Sequence, residues 1–171
     1  MIYFHGNAED VHLSFDQMKN IGDYLNVNML AIEYPGYGIY NNNGSSNEKK
    51  IKQDAEYTYR WILQDTGIKE EDILVFGRSM GGGPACFLAG NFNPGALVLM
   101  STYTSIRGCV GDNVGFLKFL VSERFENIDM IKKATCPTFI LHGMADEVIA
   151  FRHGEELAAA AVGQPLVFET R

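Results

Sequence analysis

Residues 77–81 read Gly-Arg-Ser-Met-Gly, a G-x-S-x-G pattern that places a single serine between two glycines. An apolar stretch typical of a β-strand precedes the pattern, and a small-residue stretch typical of a helix follows it. On so tight a strand-to-helix turn glycines must flank the serine, whose hydroxyl is left exposed above the sheet. The pattern therefore predicts that Ser79 is a nucleophile, with an ordinary turn serine as the alternative. A phosphate-binding loop is disfavoured, because it would need glycine in place of Ser79 or a lysine after Gly83.

A nucleophilic serine also needs preorganised N–H donors for the oxyanion that forms during acyl transfer. The backbone N–H of Met80 lies at the start of the predicted helix and can point at the oxyanion. We expect the second donor in the loop HGNAED after the first strand, where the N–H of Asn7 is the strongest candidate. A plain strand-ending turn at residues 5–7 is the alternative.

The acid of a catalytic triad must reach a histidine that is held over the serine. The segment LHGMADEVIA ends a buried strand and places Asp146 in the loop that follows it. We therefore predict Asp146 as the acid, with a helix cap or turn residue as its alternative role. Asp112, in the region after the preceding strand, is the alternative acid.

The sequence contains four histidines, none of them in an obvious position for the general base. His5 belongs to the predicted oxyanion loop. His142 ends a strand upstream of Asp146, and we expect it to be packed there. His153 follows Asp146 by seven residues at the start of a helix, and a structural role is favoured for it over that of the base.

Strand-like and helix-like segments alternate along the chain, which predicts βαβ units and a mostly parallel sheet with helices on both faces. The strands lack strict alternation of apolar and polar residues, as in strands buried on both faces. We predict a single α/β domain over residues 1–171, with residues 102–135 as a short lid or insert. Within it, VGFLKFLV at 114–121 is interpreted either as lining for an acyl pocket or as a core-facing helix. A helix over 11–25 is predicted from apolar residues at three- and four-residue spacing: Val11, Phe15, Met18, Ile21 and Leu25.

The composition excludes several classes of protein. The 171 residues carry a net charge of −7, which disfavours a nucleic-acid surface. Three cysteines without C-x-x-C spacing disfavour a disulfide framework or a zinc site and favour a reducing compartment. Cys86 is interpreted as a small buried hydrophobe. No apolar run approaches the ~20 residues that span a bilayer.

Six segments together resemble the α/β-hydrolase superfamily, and within it the subfamily of the membrane-associated protein depalmitoylases, or acyl-protein thioesterases. They are FHGNAED, EYPGYG, ILVFGRSMGGGPACFLA, LVLMSTYTSIR, FENIDMI and PTFILHGMADEVIAFRHGEEL. The resemblance implies hydrolysis of acyl esters or thioesters, with an S-acylated protein as one substrate, and no metal or organic cofactor. It implies Ser79 as nucleophile, Asp146 as acid, and Asn7 with Met80 as oxyanion donors. Tyr37 would lie near the mouth of the site or pack on the sheet edge.

Three features depart from that family's pattern. Strands normally precede the one that ends in His-Gly, so we expect the hydrolase fold to be incomplete at both termini. The triad histidine follows the acid in the family, and we expect it beyond Arg171. The cysteine-rich segment that attaches the depalmitoylases to membranes is absent from these residues, so we expect a cytoplasmic protein that reaches membranes only through other segments. A non-catalytic binding protein of the same fold and a serine peptidase remain the alternative functions.

Overall fold

The computed structural model describes residues 1–43, 46–114, 125–163 and 165–170. The strands are β1 (Ile2–Phe4), β2 (Leu30–Ile32), β3 (Leu74–Arg78), β4 (Ala96–Met100), β5 (Thr138–Gly143) and β6 (Pro165–Thr170). The α-helices are α1 (Phe15–Leu25), α2 (Glu48–Asp65), α3 (Gly82–Asn91), α4 (Ile106–Val114), α5 (Asn127–Ile131) and α6 (Arg152–Ala160). Short 3-10 turns lie at Gly38–Asn43, Glu70–Asp72 and Ser79–Gly81.

These strands form one sheet in the order β2-β1-β3-β4-β5-β6, and every pairing is parallel. The predicted α/β-hydrolase fold class is confirmed. The chain passes from β1 to β2 at one edge and then returns to β3 on the other side of β1, so the strand order reverses between β1 and β3. Ligands of open parallel sheets bind at the carboxyl ends of the strands, at such a switch point. The loops that carry Asn7 and Ser79 leave these two neighbouring strands.

The two faces of the sheet are covered unequally. In β4, Leu97 and Leu99 are buried, whereas Val98 and Met100 on the opposite face are only half-buried, and β5 alternates in the same way. The expectation that the strands are buried on both faces is therefore wrong for β4 and β5. Helices α3 and α6 pack on the buried face, while α1 reaches only part of the other, where an apolar cavity of about 310 Å³ remains.

Helix α1 also differs from the prediction. It begins at Phe15, and the residues before it form turns in which Asp10 accepts a hydrogen bond from the backbone N–H of Leu13 at 2.8 Å. Phe15 and Leu25 were predicted on the packed face, yet they are 51% and 50% exposed. Because α1 meets one partly covered sheet face, its apolar stripe is wider than the surface it contacts.

The stretch predicted as a short lid contains two helices among its described residues, α4 and α5. Asn127, at the start of α5, donates from its side-chain amide to the carbonyl oxygen of Tyr103 at 2.9 Å and so joins α5 to the loop after β4. Most of the segment VGFLKFLV, residues 115–121, lies outside the described residues. Helix α2 buries one face against the core through residues that recur at three- and four-residue spacing: Ile51, Ala55, Tyr59 and Ile62.

Candidate active site

The turn between β3 and α3 is held in a conformation that few residues adopt. Ser79 has a φ of 51°, in the left-handed region that non-glycine residues rarely occupy. A Cβ atom added to Gly81 would lie 2.2 Å from the carbonyl oxygen of Phe4, and one added to Gly77 would lie 2.5 Å from the carbonyl oxygen of Gly81. The hydroxyl of Thr102 donates to the carbonyl oxygen of Ser79 at 2.5 Å. Both glycines of the motif are thus required by close backbone contacts that fix the serine.

Ser79 opens onto a cavity of about 360 Å³ at the carboxyl edge of the sheet. Asn7 and Met80 line the same cavity, so the structure brings the predicted nucleophile and both predicted oxyanion donors together. Among the described residues, no charged side chain lines this cavity, whose other lining residues are Tyr103, Ile106, Cys109, Val110, Val148 and Ile149. Among the described residues, the backbone N–H of Asn7 makes no hydrogen bond to another backbone group. This N–H is available to a ligand.

A partly buried carboxylate organises the loop that carries Asn7. Glu33, which follows β2, accepts hydrogen bonds from His5 Nε2 at 3.0 Å, from the N–H of Tyr34 at 3.1 Å and from the N–H of Val11 at 3.2 Å. His5 is fully buried, and its Nδ1 lies 2.9 Å from the carbonyl oxygen of Gly6. His5 therefore has a structural position beneath the loop, and Glu33 ties the loops after β1 and β2 together.

A second carboxylate links this loop to the nucleophile turn. One oxygen of Glu9 accepts the backbone N–H of Gly6 and an N–H of Arg78, both at 2.6 Å. A Cβ on Gly6 would lie 2.5 Å from that oxygen, so a side chain at this position would displace the Glu9 carboxylate. Glu9 and Arg78 were not predicted from the sequence. Arg78 occupies a variable position of G-x-S-x-G, and only the fold brings it beside Glu9.

Tyr37 contacts both residues that are predicted to supply the oxyanion donors. Its hydroxyl donates to Asn7 Oδ1 at 2.6 Å and lies 3.7 Å from Met80 Sδ. Its ring makes edge contacts with Tyr34 and His5, at centroid distances of 5.6 and 5.8 Å. Burial, with the nearby charge of Glu33, raises the pKa of Tyr37, so the hydroxyl keeps its proton.

Asp146 lies in the loop after β5, at the same sheet edge as Ser79. Its Oδ1 accepts the backbone N–H groups of Val148 and Ile149, both at 2.9 Å. Burial acts to raise the pKa of Asp146, but these two hydrogen bonds and one from Ser101 outweigh it and hold the pKa below the ordinary value. Asp146 is therefore ionised at neutral pH, in a loop whose Val148 and Ile149 also line the cavity. The alternative acid, Asp112, lies within α4 rather than at a strand end.

The two histidines nearest Asp146 in sequence are buried in structural contacts. His142 Nε2 lies 2.8 Å from the carbonyl oxygen of Ile149 and 3.8 Å from Asp146 Oδ2. His153 Nδ1 lies 3.0 Å from the hydroxyl oxygen of Thr104. Neither histidine is among the residues that line the cavity. The loops after β1, β3 and β5 therefore bring a candidate nucleophile, two candidate N–H donors and a carboxylate to one edge of the sheet, and no described histidine lines the cavity.

Within the described residues, neither the thiol of Cys86 nor a cluster of metal-ligating side chains forms a second reactive centre. Cys86 is fully buried, and burial, followed by the nearby Cys136, raises the pKa of its thiol, so it stays protonated. Cys86, Cys109 and Cys136 form no disulfide with one another. No group of three or more histidine, cysteine or acidic side chains is suited to a metal ion within the part of the chain that the structure describes. Among the helices of the described residues, none is both long and apolar enough to cross a bilayer.

A family profile described as "Alpha/beta hydrolase of unknown function (DUF1057)" matches residues 1–160. The chain belongs to this α/β-hydrolase family. It is 34% identical over 157 residues to human alpha/beta hydrolase domain-containing protein 17B, an alignment that covers 90% of this chain and 52% of that protein. The chain thus spans about half the length of the curated relatives it matches.

Solved structures support the fold. An alpha-beta hydrolase from Vibrio vulnificus superposes with a TM-score of 0.79 at 24% identity, covering 99% of this chain and 65% of that one. The esterase domain of a Rhodothermus marinus protein superposes with a TM-score of 0.68 at 13% identity, covering 98% of this chain and 73% of that one. At these identities the likeness describes the fold of the chain and not its activity.

Proposed function

We propose that this chain carries the nucleophile, acid and oxyanion donors of a serine hydrolase that cleaves acyl esters or thioesters. One observation carries the proposal: Ser79 sits at φ 51° on a strand-to-helix turn and opens onto an apolar cavity beside Asn7 and Met80. A strained backbone persists where surrounding contacts impose it, and such strain concentrates at functional sites. Here Gly77 and Gly81 supply those contacts.

In the proposed reaction, the Ser79 hydroxyl attacks the acyl carbonyl carbon while a base takes its proton. The backbone N–H groups of Met80 and Asn7 then stabilise the tetrahedral oxyanion. The tetrahedral species expels the alcohol or thiol, which receives the proton, and water hydrolyses the acyl-serine by the same route in reverse. The ionised Asp146 orients the base and stabilises its charged form. Because no described histidine lines the cavity, we propose that the base is a histidine from outside the described residues.

The cavity favours an uncharged acyl group. Its walls are apolar, and their burial of methylene groups contributes about 0.8 kcal/mol for each. The resemblance to protein depalmitoylases extends the proposal to thioesters of S-acylated proteins, whose polypeptide would remain outside the cavity. We also propose a reducing compartment such as the cytoplasm, because the spacing of the three cysteines disfavours a disulfide framework.

Labelling with a fluorophosphonate probe tests the nucleophile. The protein at its native length should be labelled on the peptide that contains Ser79, and Ser79→Ala should abolish the labelling. Ser46→Ala, in the loop before α2, is the matched control and should be labelled like the wild type. A folded native-length protein that is not labelled would contradict the proposal and favour the non-catalytic binding protein.

A substrate panel tests the bond that is cleaved. Matched octanoyl oxygen esters and octanoyl thioesters should be hydrolysed, and both activities should disappear in Ser79→Ala. Peptide p-nitroanilides serve as the third arm. Faster Ser79-dependent cleavage of the anilides would replace the esterase assignment with a peptidase.

A further inference from the structure

We propose that Tyr37 is a positioning residue that fixes the oxyanion donor of Asn7 through the Asn7 side chain. The inference rests on the proposed function and extends it to a residue outside the predicted triad and oxyanion hole. Its basis is the 2.6 Å hydrogen bond from the Tyr37 hydroxyl to Asn7 Oδ1, made across 30 positions of sequence.

The Tyr37 ring is held firmly enough to act as such an anchor. Its backbone N–H donates to the carbonyl oxygen of Tyr34 at 2.9 Å, and its own carbonyl accepts from the N–H of Tyr40 at 2.9 Å. Gly36 and Gly38, on either side, have φ values of 89° and 43°, which glycine adopts most easily. The turn therefore directs the ring against Tyr34 and toward Asn7.

Asn7 itself needs an anchor, because the carboxylates of Glu9 and Glu33 hold its neighbours in the loop. Asn7 is exposed, and Ala8 after it has a φ of 58°, a left-handed conformation that costs a non-glycine residue energy. On the amino-terminal side, Glu9 fixes the N–H of Gly6 at 2.6 Å. On the other side of the Asn7 N–H, the Tyr37 hydroxyl fixes the Asn7 side chain. A donor held at both sides is already oriented when the oxyanion forms, which is the condition for effective stabilisation.

The test is a double-mutant cycle at the native length with an octanoyl ester. Tyr37→Phe removes only the hydroxyl, and Asn7→Ala removes the acceptor while keeping the backbone donor. Each should lower kcat about tenfold with KM within about twofold, less than the ~10²–10³ that the loss of an oxyanion donor costs. The double variant should show no further loss, because both changes break one interaction. Tyr57→Phe, at a tyrosine on α2 that is 75% exposed, is the matched control and should retain full activity.

The outcomes separate this inference from the proposed function. An unchanged kcat in Tyr37→Phe would overturn the positioning role. So would a double variant whose kcat loss is the product of the two single losses, because the hydroxyl would then act independently of Asn7. Melting temperatures of each variant identify a folding defect, and if Tyr37→Phe does not fold, Asn7→Ala must show the kcat loss alone. Hydrolysis that persists in Ser79→Ala would instead refute the proposed function.

Discussion

Gly81→Ala should destabilise the protein, because the added methyl group would meet backbone atoms at the end of β1. The new Cβ would lie 2.2 Å from the carbonyl oxygen of Phe4, 2.6 Å from its carbonyl carbon and 2.7 Å from the carbonyl oxygen of His5. These are backbone atoms at the end of β1, a strand paired on both sides with β2 and β3. They cannot rotate away as the end of a side chain could.

The size of the effect follows from this geometry. Ordinary Cβ contacts begin near 3.4 Å, so the turn and β1 would have to separate by more than an ångström to admit the methyl group. Overpacking lowers the free energy of unfolding by about 1–3 kcal/mol and sometimes more. Because the methyl group would clash with backbone that is paired on both sides, we expect a loss of about 3 kcal/mol. For a chain of this size that corresponds to a fall in Tm of about 6–12 °C.

Thermal unfolding followed by circular dichroism measures the difference. Gly67→Ala is the matched control, since Gly67 has a φ of 72° but no atom within 4 Å of its added Cβ. In that variant only the left-handed backbone conformation of the alanine should lower the free energy of unfolding, by about 1–2 kcal/mol. If Gly81→Ala melts at or above the temperature of Gly67→Ala, the tight packing of the nucleophile turn on β1 is wrong.

Three further predictions concern the surroundings of Ser79. Glu33→Gln replaces a carboxylate oxygen with an amide N–H₂, which cannot accept the hydrogen bonds that Glu33 receives. It should lower the free energy of unfolding, measured with urea, by about 1–3 kcal/mol, and an unchanged urea midpoint would contradict the role of Glu33. The lowered pKa of Asp146 stabilises the fold above the ordinary value of 3.8 and ceases to do so as pH falls through the lowered value. The Tm of the wild type should therefore drop more between pH 5 and pH 3 than that of Asp146→Asn, and equal slopes would refute this. Val110→Phe narrows the cavity and should lower kcat/KM for octanoyl relative to acetyl esters by about tenfold, whereas equal losses for both would argue against an acyl cavity.

The sequence predicts the parallel sheet and the position of Ser79, because these depend on local signals. Glycines around a serine between a strand and a helix leave one geometry available, and alternation of strands with helices leads to parallel pairing. Asp146 was located in the same way, since loops after parallel strands share one edge. In each case, neighbouring residues carry the information.

The supports of the site could not be predicted, because they join distant parts of the chain. Arg78 and Glu9 are 69 positions apart, and His5 and Glu33 are 28 apart. In a sequence, such charges cannot be told from solvated surface residues. The partial exposure of one face of β4 and β5 could not be predicted for a related reason. The burial of a strand depends on which helices pack on it, and the residues of the strand alone do not specify those helices.

Trapping the acyl-enzyme tests the central claim most directly. The protein at its native length is mixed with p-nitrophenyl octanoate, quenched with acid before turnover is complete, digested and examined by mass spectrometry. The account predicts an octanoyl group on the hydroxyl of Ser79, and none on the equivalent peptide of Ser79→Ala. Turnover with the octanoyl group on another residue, or with Ser79 never acylated, would contradict it.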